Sequence, residues 1–196
     1  RAWQRGLTTS RYKAVNDLLY HNIEAFNGIP ELFFSWMTIS DKKVYFEFLD
    51  NDVSLGEHAR TIAFGHNNHM TILDPSALGN IDRFLQVNTN ATKPDEVLDK
   101  NWQPNHNFIR QCFSSFSSIN FVNFDDATVY GRVEGGIWRY KNVAQYSVLK
   151  KHQNCLSALG WDKLENAKNL PLETLNVEQE KRVTIGSWAP KHPFNG

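Results

Sequence analysis

Cysteine is scarce: Cys112 and Cys155 are the only two in 196 residues. A small secreted domain normally carries a denser set of disulfides. The chain is therefore expected in a reducing compartment, the cytoplasm, with both thiols free and buried. No Cys-x-x-Cys pair and no Cys/His spacing of the zinc type occurs, so neither a metal nor another cofactor is expected. No apolar run approaches the roughly 18 residues that cross a bilayer, so a membrane is not expected as a partner. Charge of neither sign dominates, with 21 Lys and Arg against 21 Asp and Glu. Proteins that bind duplex nucleic acid usually carry a basic excess, so duplex is not an expected partner. A small anionic ligand needs only a few local cations and stays open. Glycine-rich phosphate loops and the Gly-x-Ser-x-Gly elbow are also missing.

What is present supports a packed core. Hydrophobic residues make up 41% of the chain and aromatics 13%, too much for a disordered protein. The length fits a single domain over 1–196. Residues 9–26 read as an amphipathic helix, with Val15, Leu18, Leu19, Ile23 and Phe26 at helical spacing. Asn27-Gly28 and Pro30 are expected to end it. Leu32 to Ile39 and Val44 to Leu49 read as the arms of a hairpin around Ser40-Asp41-Lys42. A second hairpin joins Arg60–Phe64 to Met70–Leu73 across His66-Asn67-Asn68.

Asp74-Pro75 suits the cap and first turn of a helix reaching about Val87. The polar stretch 88–104 reads as a surface excursion, followed by a helix over 108–116. Strands are expected at 119–122, 127–133, 137–140 and 182–188. Asn142 should cap a helix that Gly160 ends. The expected class is α+β with an antiparallel core.

The helix at 142–159 carries the most chemistry. Val148, His152, Cys155 and Leu159 form one stripe, widened by Leu149 and Leu156. Tyr146 and Lys150 are four apart on the other face. An ammonium favours the ionised form of a neighbouring phenol, and both groups can act on a phosphate. A solvated face that happens to carry Tyr and Lys is the plainer account of the same spacing. His66 and His69 are three apart across a turn, so they are expected to be polar turn residues. Asp50, Asp52 and Glu57 are expected to be solvated loop carboxylates.

One resemblance orders these residues. Cys112, the strand Val129-Tyr130-Gly131-Arg132-Val133, the run Tyr146-Ser147-Val148-Leu149-Lys150 and Ser157-Ala158-Leu159 occur in an order and spacing that resemble the poxin family. These viral and insect nucleases cleave the cyclic dinucleotide 2′,3′-cGAMP and so blunt cGAS–STING immune signalling. The family's catalytic Tyr and Lys, in a Tyr-x-x-x-Lys run, carry over onto Tyr146 and Lys150. Its catalytic His lies close to an Ala-Phe-x-Gly-Ile sequence, matched here by Ala25-Phe26-Asn27-Gly28-Ile29, to which His21 is the nearest histidine. Basic residues on late strands hold the ligand phosphates in the family, and Lys181 and Arg182 occupy that place in the order of elements. The resemblance implies a metal-independent nuclease, a homodimer, and an antiparallel β-barrel core like that of chymotrypsin-like proteases. It implies the host cytosol if the source is viral.

Two other classes stand beside this one. The same basic and aromatic groups would serve a non-catalytic module that holds a nucleotide or a partner protein. A chymotrypsin-like viral protease would need a nucleophile such as Cys112 beside a histidine, but Cys112 falls in an expected helix without flanking glycines.

Overall fold

Apolar residues recur at helical spacing through Phe26, Pro30, Phe33, Phe34 and Met37. The structure is a computed structural model describing residues 9–10, 14–39, 41–54 and 56–164. It follows that spacing: α1 runs Val15–Met37, straight across Asn27-Gly28 and Pro30. The expected stop at Asn27 and the expected strand from Leu32 to Ile39 are therefore corrected to one helix. A helical proline costs about 3 kcal/mol and a helical glycine about 1. Packing outweighs them. Phe26 stacks on Phe84 at 4.8 Å, and Phe33 meets Phe46 and Phe48 edge-on at 4.9 and 5.0 Å. Phe34 lies 5.4 Å from Phe108. Each such pair contributes about 0.5–1.5 kcal/mol beyond the area it buries.

Gly28 sits in this helix with nothing within 4 Å of where a Cβ would stand. Gly28→Ala is therefore expected to stabilise the protein by about 0.5–1 kcal/mol. A denaturation midpoint that stays put or falls in urea would count against this account of α1.

Six strands follow: β1 Tyr45–Asp50, β2 Arg60–His66, β3 His69–Ile72, β4 Ser118–Val122, β5 Val129–Glu134 and β6 Ile137–Lys141. They form one sheet in the order β1-β2-β3-β4-β5-β6. Every neighbouring pair is antiparallel except β3 and β4, which run parallel. A parallel pair needs a long crossover, and the connection 73–117 supplies it. That connection carries α2 Pro75–Gly79, 3₁₀ turns at Ile81–Gln86 and Pro94–Glu96, and α3 Asn107–Ser115. Asp74 caps α2 as expected, accepting from the Ala77 N–H at 2.9 Å. Among the described residues β1 and β6 are the two free ends of the sheet, so it is open and mixed. Among those residues the expected closed antiparallel barrel is not formed; the α+β class stands.

One sheet face is apolar. Met70, Ile72, Ile119, Phe121, Val133 and Trp138 join α1 and α3 in the main core. Gly131 makes room for it: a Cβ there would come within 2.8 Å of Trp161 and 2.9 Å of Trp138. With period-two alternation, the other face carries Tyr45, Glu47, His66, His69, Thr71, Asn120 and Arg132 beside a second, smaller buried cluster that includes Phe64 and Tyr140.

Candidate functional site

The helix expected over 142–159 is two short ones, α4 Tyr146–Lys151 and α5 Gln153–Ala158. His152 separates them, with φ −109° and ψ 12°. Its ring turns inward, where Ser76 Oγ lies 2.8 Å from Nδ1 and Asp74 Oδ1 lies 3.7 Å from the same nitrogen. Asp74 also binds Arg60 at 2.9 Å. The break thus coincides with the histidine that ties this segment to the start of α2. A Ser–His–Asp set whose Ser and Asp meet one ring nitrogen cannot relay a proton between them, so this cluster is a tether. The stripe read from the sequence is the buried one: Val148, His152, Cys155, Leu156 and Leu159 are all inside.

The opposite face of α4 carries Tyr146, 71% exposed, and Lys150, also exposed. Asn142 does not cap this helix. Its Oδ1 accepts from the Ala144 N–H at 3.0 Å, forming a turn ahead of it. Gln145 stands at the helix start and is held from both ends of its amide. Its Oε1 accepts from Asn123 Nδ2, and its Nε2 donates to Asp126 Oδ2, each at 3.2 Å. Burial pushes the Asp126 carboxyl up, but hydrogen bonds from Thr128, Gln145 and Asn123 outweigh it and hold the group below its ordinary value. Gln145 therefore ties the start of α4 to the β4–β5 turn. No sequence motif marked it; only its place one residue before Tyr146 hinted at such a role.

His21 projects from α1, where it is 60% exposed and lies 3.7 Å from Glu24 one turn on. No hydrogen bond, ion pair or ring contact among the described residues joins it to Tyr146 or Lys150. Lys181, Arg182 and the strand expected at 182–188 lie outside the described residues.

Both cysteines are free and buried, as expected. Cys112 is wholly enclosed in α3, and burial pushes its thiol far above the ordinary range. Cys155 is pushed up to about 12, by burial first and then by Asp74. A protease nucleophile has to be an accessible thiolate, and Cys112 is the reverse. The acidic loop is spoken for locally: Asp50 accepts from Arg60 and from the Asp52 N–H, and Glu57 from the Ser54 N–H. Among the described residues no three His, Cys, Asp or Glu side chains converge as a metal-binding group.

The second hairpin forms as expected, with Asn67-Asn68 alone between β2 and β3. Asn67 does more than turn the chain. Its Oδ1 accepts from the Val44 N–H at 2.6 Å, and its Nδ2 donates to the Ile39 and Lys42 carbonyls at 3.1 and 3.0 Å. One side chain thereby clamps the link between α1 and β1.

Three histidines are held below the ordinary value of 6.5, each by burial first. Nearby cations then act the same way: His69 and Lys43 on His66, Arg110 on His106, Lys151 and Arg60 on His152. Asp82 and Asp74 oppose the shift at His106 and His152 without cancelling it. The unfolded chain therefore binds protons more readily than the folded one. Stability from this source is complete above about pH 6.5 and falls as the pH drops below it. Urea midpoints should decrease from pH 7.5 to 5.5, less steeply in His152→Gln.

No protein-family model, curated protein or solved structure matches the chain.

Proposed function

We propose that the protein is a poxin-like nuclease that opens the 3′–5′ phosphodiester of 2′,3′-cGAMP without a metal. Tyr146 and Lys150 are the core of the site. The observation that carries this reading is the division of α4. Val148 and His152 turn into the core while Tyr146 and Lys150 stand together on the open face, with Gln145 tying the helix start to the β4–β5 turn.

The chemistry asks for little more. A ribose 2′-hydroxyl beside the phosphodiester is a built-in nucleophile that needs a general base. Its attack forms a 2′-O–P bond and breaks the P–O5′ bond. The 2′-proton passes to the base, and a proton passes to the leaving 5′-oxygen. Negative charge gathers on phosphorus oxygens in between and calls for a cation. Lys150 supplies the cation. Tyr146 and His21 share the two proton transfers, and Lys181 with Arg182 hold the second phosphate. On this reading the protein is a homodimer in the cytosol that lowers cyclic dinucleotide signalling through cGAS–STING. A core of the chymotrypsin-like family is not needed for it; the Tyr146–Lys150 face is.

The test is digestion in EDTA. The protein is incubated with 2′,3′-cGAMP and denatured, and the nucleotide is recovered. Linear product is the expected result. Intact ligand returned after denaturation would favour a sequestering module instead, and cleavage that EDTA stops would overturn the metal-free mechanism.

A further inference from the structure

The two-residue turn makes His66 and His69 partners on the last rung of the β2–β3 ladder. Their rings are 4.8 Å apart and nearly perpendicular, at 70°. Tyr45, opposite His66 on β1, sets its ring edge-on at 6.2 Å, and Lys43 Nζ lies 5.1 Å over that tyrosine. Two residues along, Thr71 is in register with Asn120, and Asn120 with Arg132. His66, His69, Thr71 and Asn120 line, with Phe64 and Met70, a pocket of about 200 Å³.

Each polar side chain of this pocket can donate a hydrogen bond. Arg132 Nε donates to Asn120 Oδ1 at 2.9 Å. A guanidinium has only donors, so this contact fixes the amide orientation and leaves Asn120 its NH₂. Thr71 brings a hydroxyl, and each imidazole brings an N–H. Among the described residues no Asp or Glu lines the pocket. The groups that act on His66, His69 and Lys43, both disfavour its positive charge. Among the described residues no carboxylate joins the two imidazoles to complete a cation site. An anion gives the donors an acceptor, and hydrogen bonds to a charged acceptor are about twice as strong as neutral ones.

Size narrows the class. Pockets for whole drug-sized ligands run from about 300 to 1,000 Å³, so this one suits a group rather than a whole nucleotide. We propose that the pocket is a binding site for a single phosphate group, free or at the end of a phosphomonoester, held by His66, His69, Thr71 and Asn120. Lys43, over Tyr45, and Arg132, bound to Asn120, bring cations to the same sheet face. The site is separate from the face of α4. His69 is in register with Ser118 at the start of β4, whereas Gln145 is bound to Asn123 just beyond its end.

The experiment is a titration of the full chain at constant ionic strength, with inorganic phosphate in one arm and ribose 5-phosphate in the other. The imidazole C–H resonances are followed by NMR. Saturable shifts of the His66 and His69 signals are expected, with one site per chain. Tighter binding of ribose 5-phosphate would identify a phosphomonoester as the ligand, and equal or tighter binding of phosphate the free ion. Asn120→Leu should weaken binding about tenfold or more. The double variant His66→Gln/His69→Gln, on the last rung of the β2–β3 ladder, should abolish it, with calorimetry as the readout and a cooperative melting transition as the control for folding. The proposal is overturned if neither probe saturates by about 20 mM, a range that covers millimolar affinity. It is overturned equally if both variants bind as the parent does, or if zinc alone saturates the two histidines where phosphate does not.

Discussion

Tyr146→Phe is expected to slow cleavage of 2′,3′-cGAMP by about 10²–10⁴-fold, the usual contribution of one positioned proton-transfer group. The change deletes a single oxygen. Because the side chain is 71% exposed, the fold does not depend on that oxygen, and the melting temperature should be unchanged. Lys150→Ala is expected to act through a different step, the charge that builds on the phosphate, with a loss of about 10²–10³. The two differ in what rescues them. Lys150→Arg keeps the cation and should recover part of the rate, whereas nothing short of a hydroxyl should recover Tyr146→Phe. Residues that act as a unit are not additive, so the double variant should be little slower than the worse single one. Full activity in both single variants would remove this face from the chemistry. His21→Ala tests the remaining assignment: full activity there would free His21 of its role and leave the other two in place.

Gly65→Ala is expected to cost more than about 3 kcal/mol, beyond the usual range for overpacking. The reason is backbone. A Cβ at Gly65 would run into the His69 carbonyl oxygen and lie 2.9 Å from the Met70 Cα. Side chains can swing aside, but a paired strand cannot without giving up the β2–β3 register, and Gly65 is opposite Met70 in that register. Phe46 is 2.8 Å away on a third side. The expected readout is a large drop in urea midpoint, with loss of any phosphate-dependent shift at His66 and His69. A loss below about 1 kcal/mol would mean that the hairpin can widen. Gly28→Ala is the internal contrast, since the same substitution in open space on α1 should stabilise.

How much of this could be read from the chain depends on how local the signal is. The Asn67-Asn68 turn, the Asp74-Pro75 start of α2, the helix near 108–116 and the strands around Asp125-Asp126 are set within a few residues of themselves. All of them formed, with ends shifted by a residue or two. The buried stripe of Val148, His152, Cys155 and Leu159 was equally legible, because 3.6-residue periodicity survives a break at one residue. At the candidate site, the face bearing Tyr146 and Lys150 follows from that periodicity. The tether of Gln145 does not, since Asn123 and Asp126 lie about twenty positions away in the chain.

The chain by itself determined the class, the two buried thiols and which side of α4 faces out, because each rests on short-range pattern or composition. Only the tertiary structure decided that α1 continues through Pro30. A local break costing about 3 kcal/mol was outweighed by phenylalanines on β1, on α3 and in the 3₁₀ turn before it. It also decided that β3 and β4 run parallel and that the sheet stays open among the described residues. Strand direction is set by where a long crossover returns, and nothing in a four- or five-residue strand encodes it. The donor-lined pocket belongs to the same category. The hairpin brings His66, His69 and Thr71 together locally, but Asn120 and Arg132 come from about fifty residues or more along the chain, and only neighbouring strands in register join them to it.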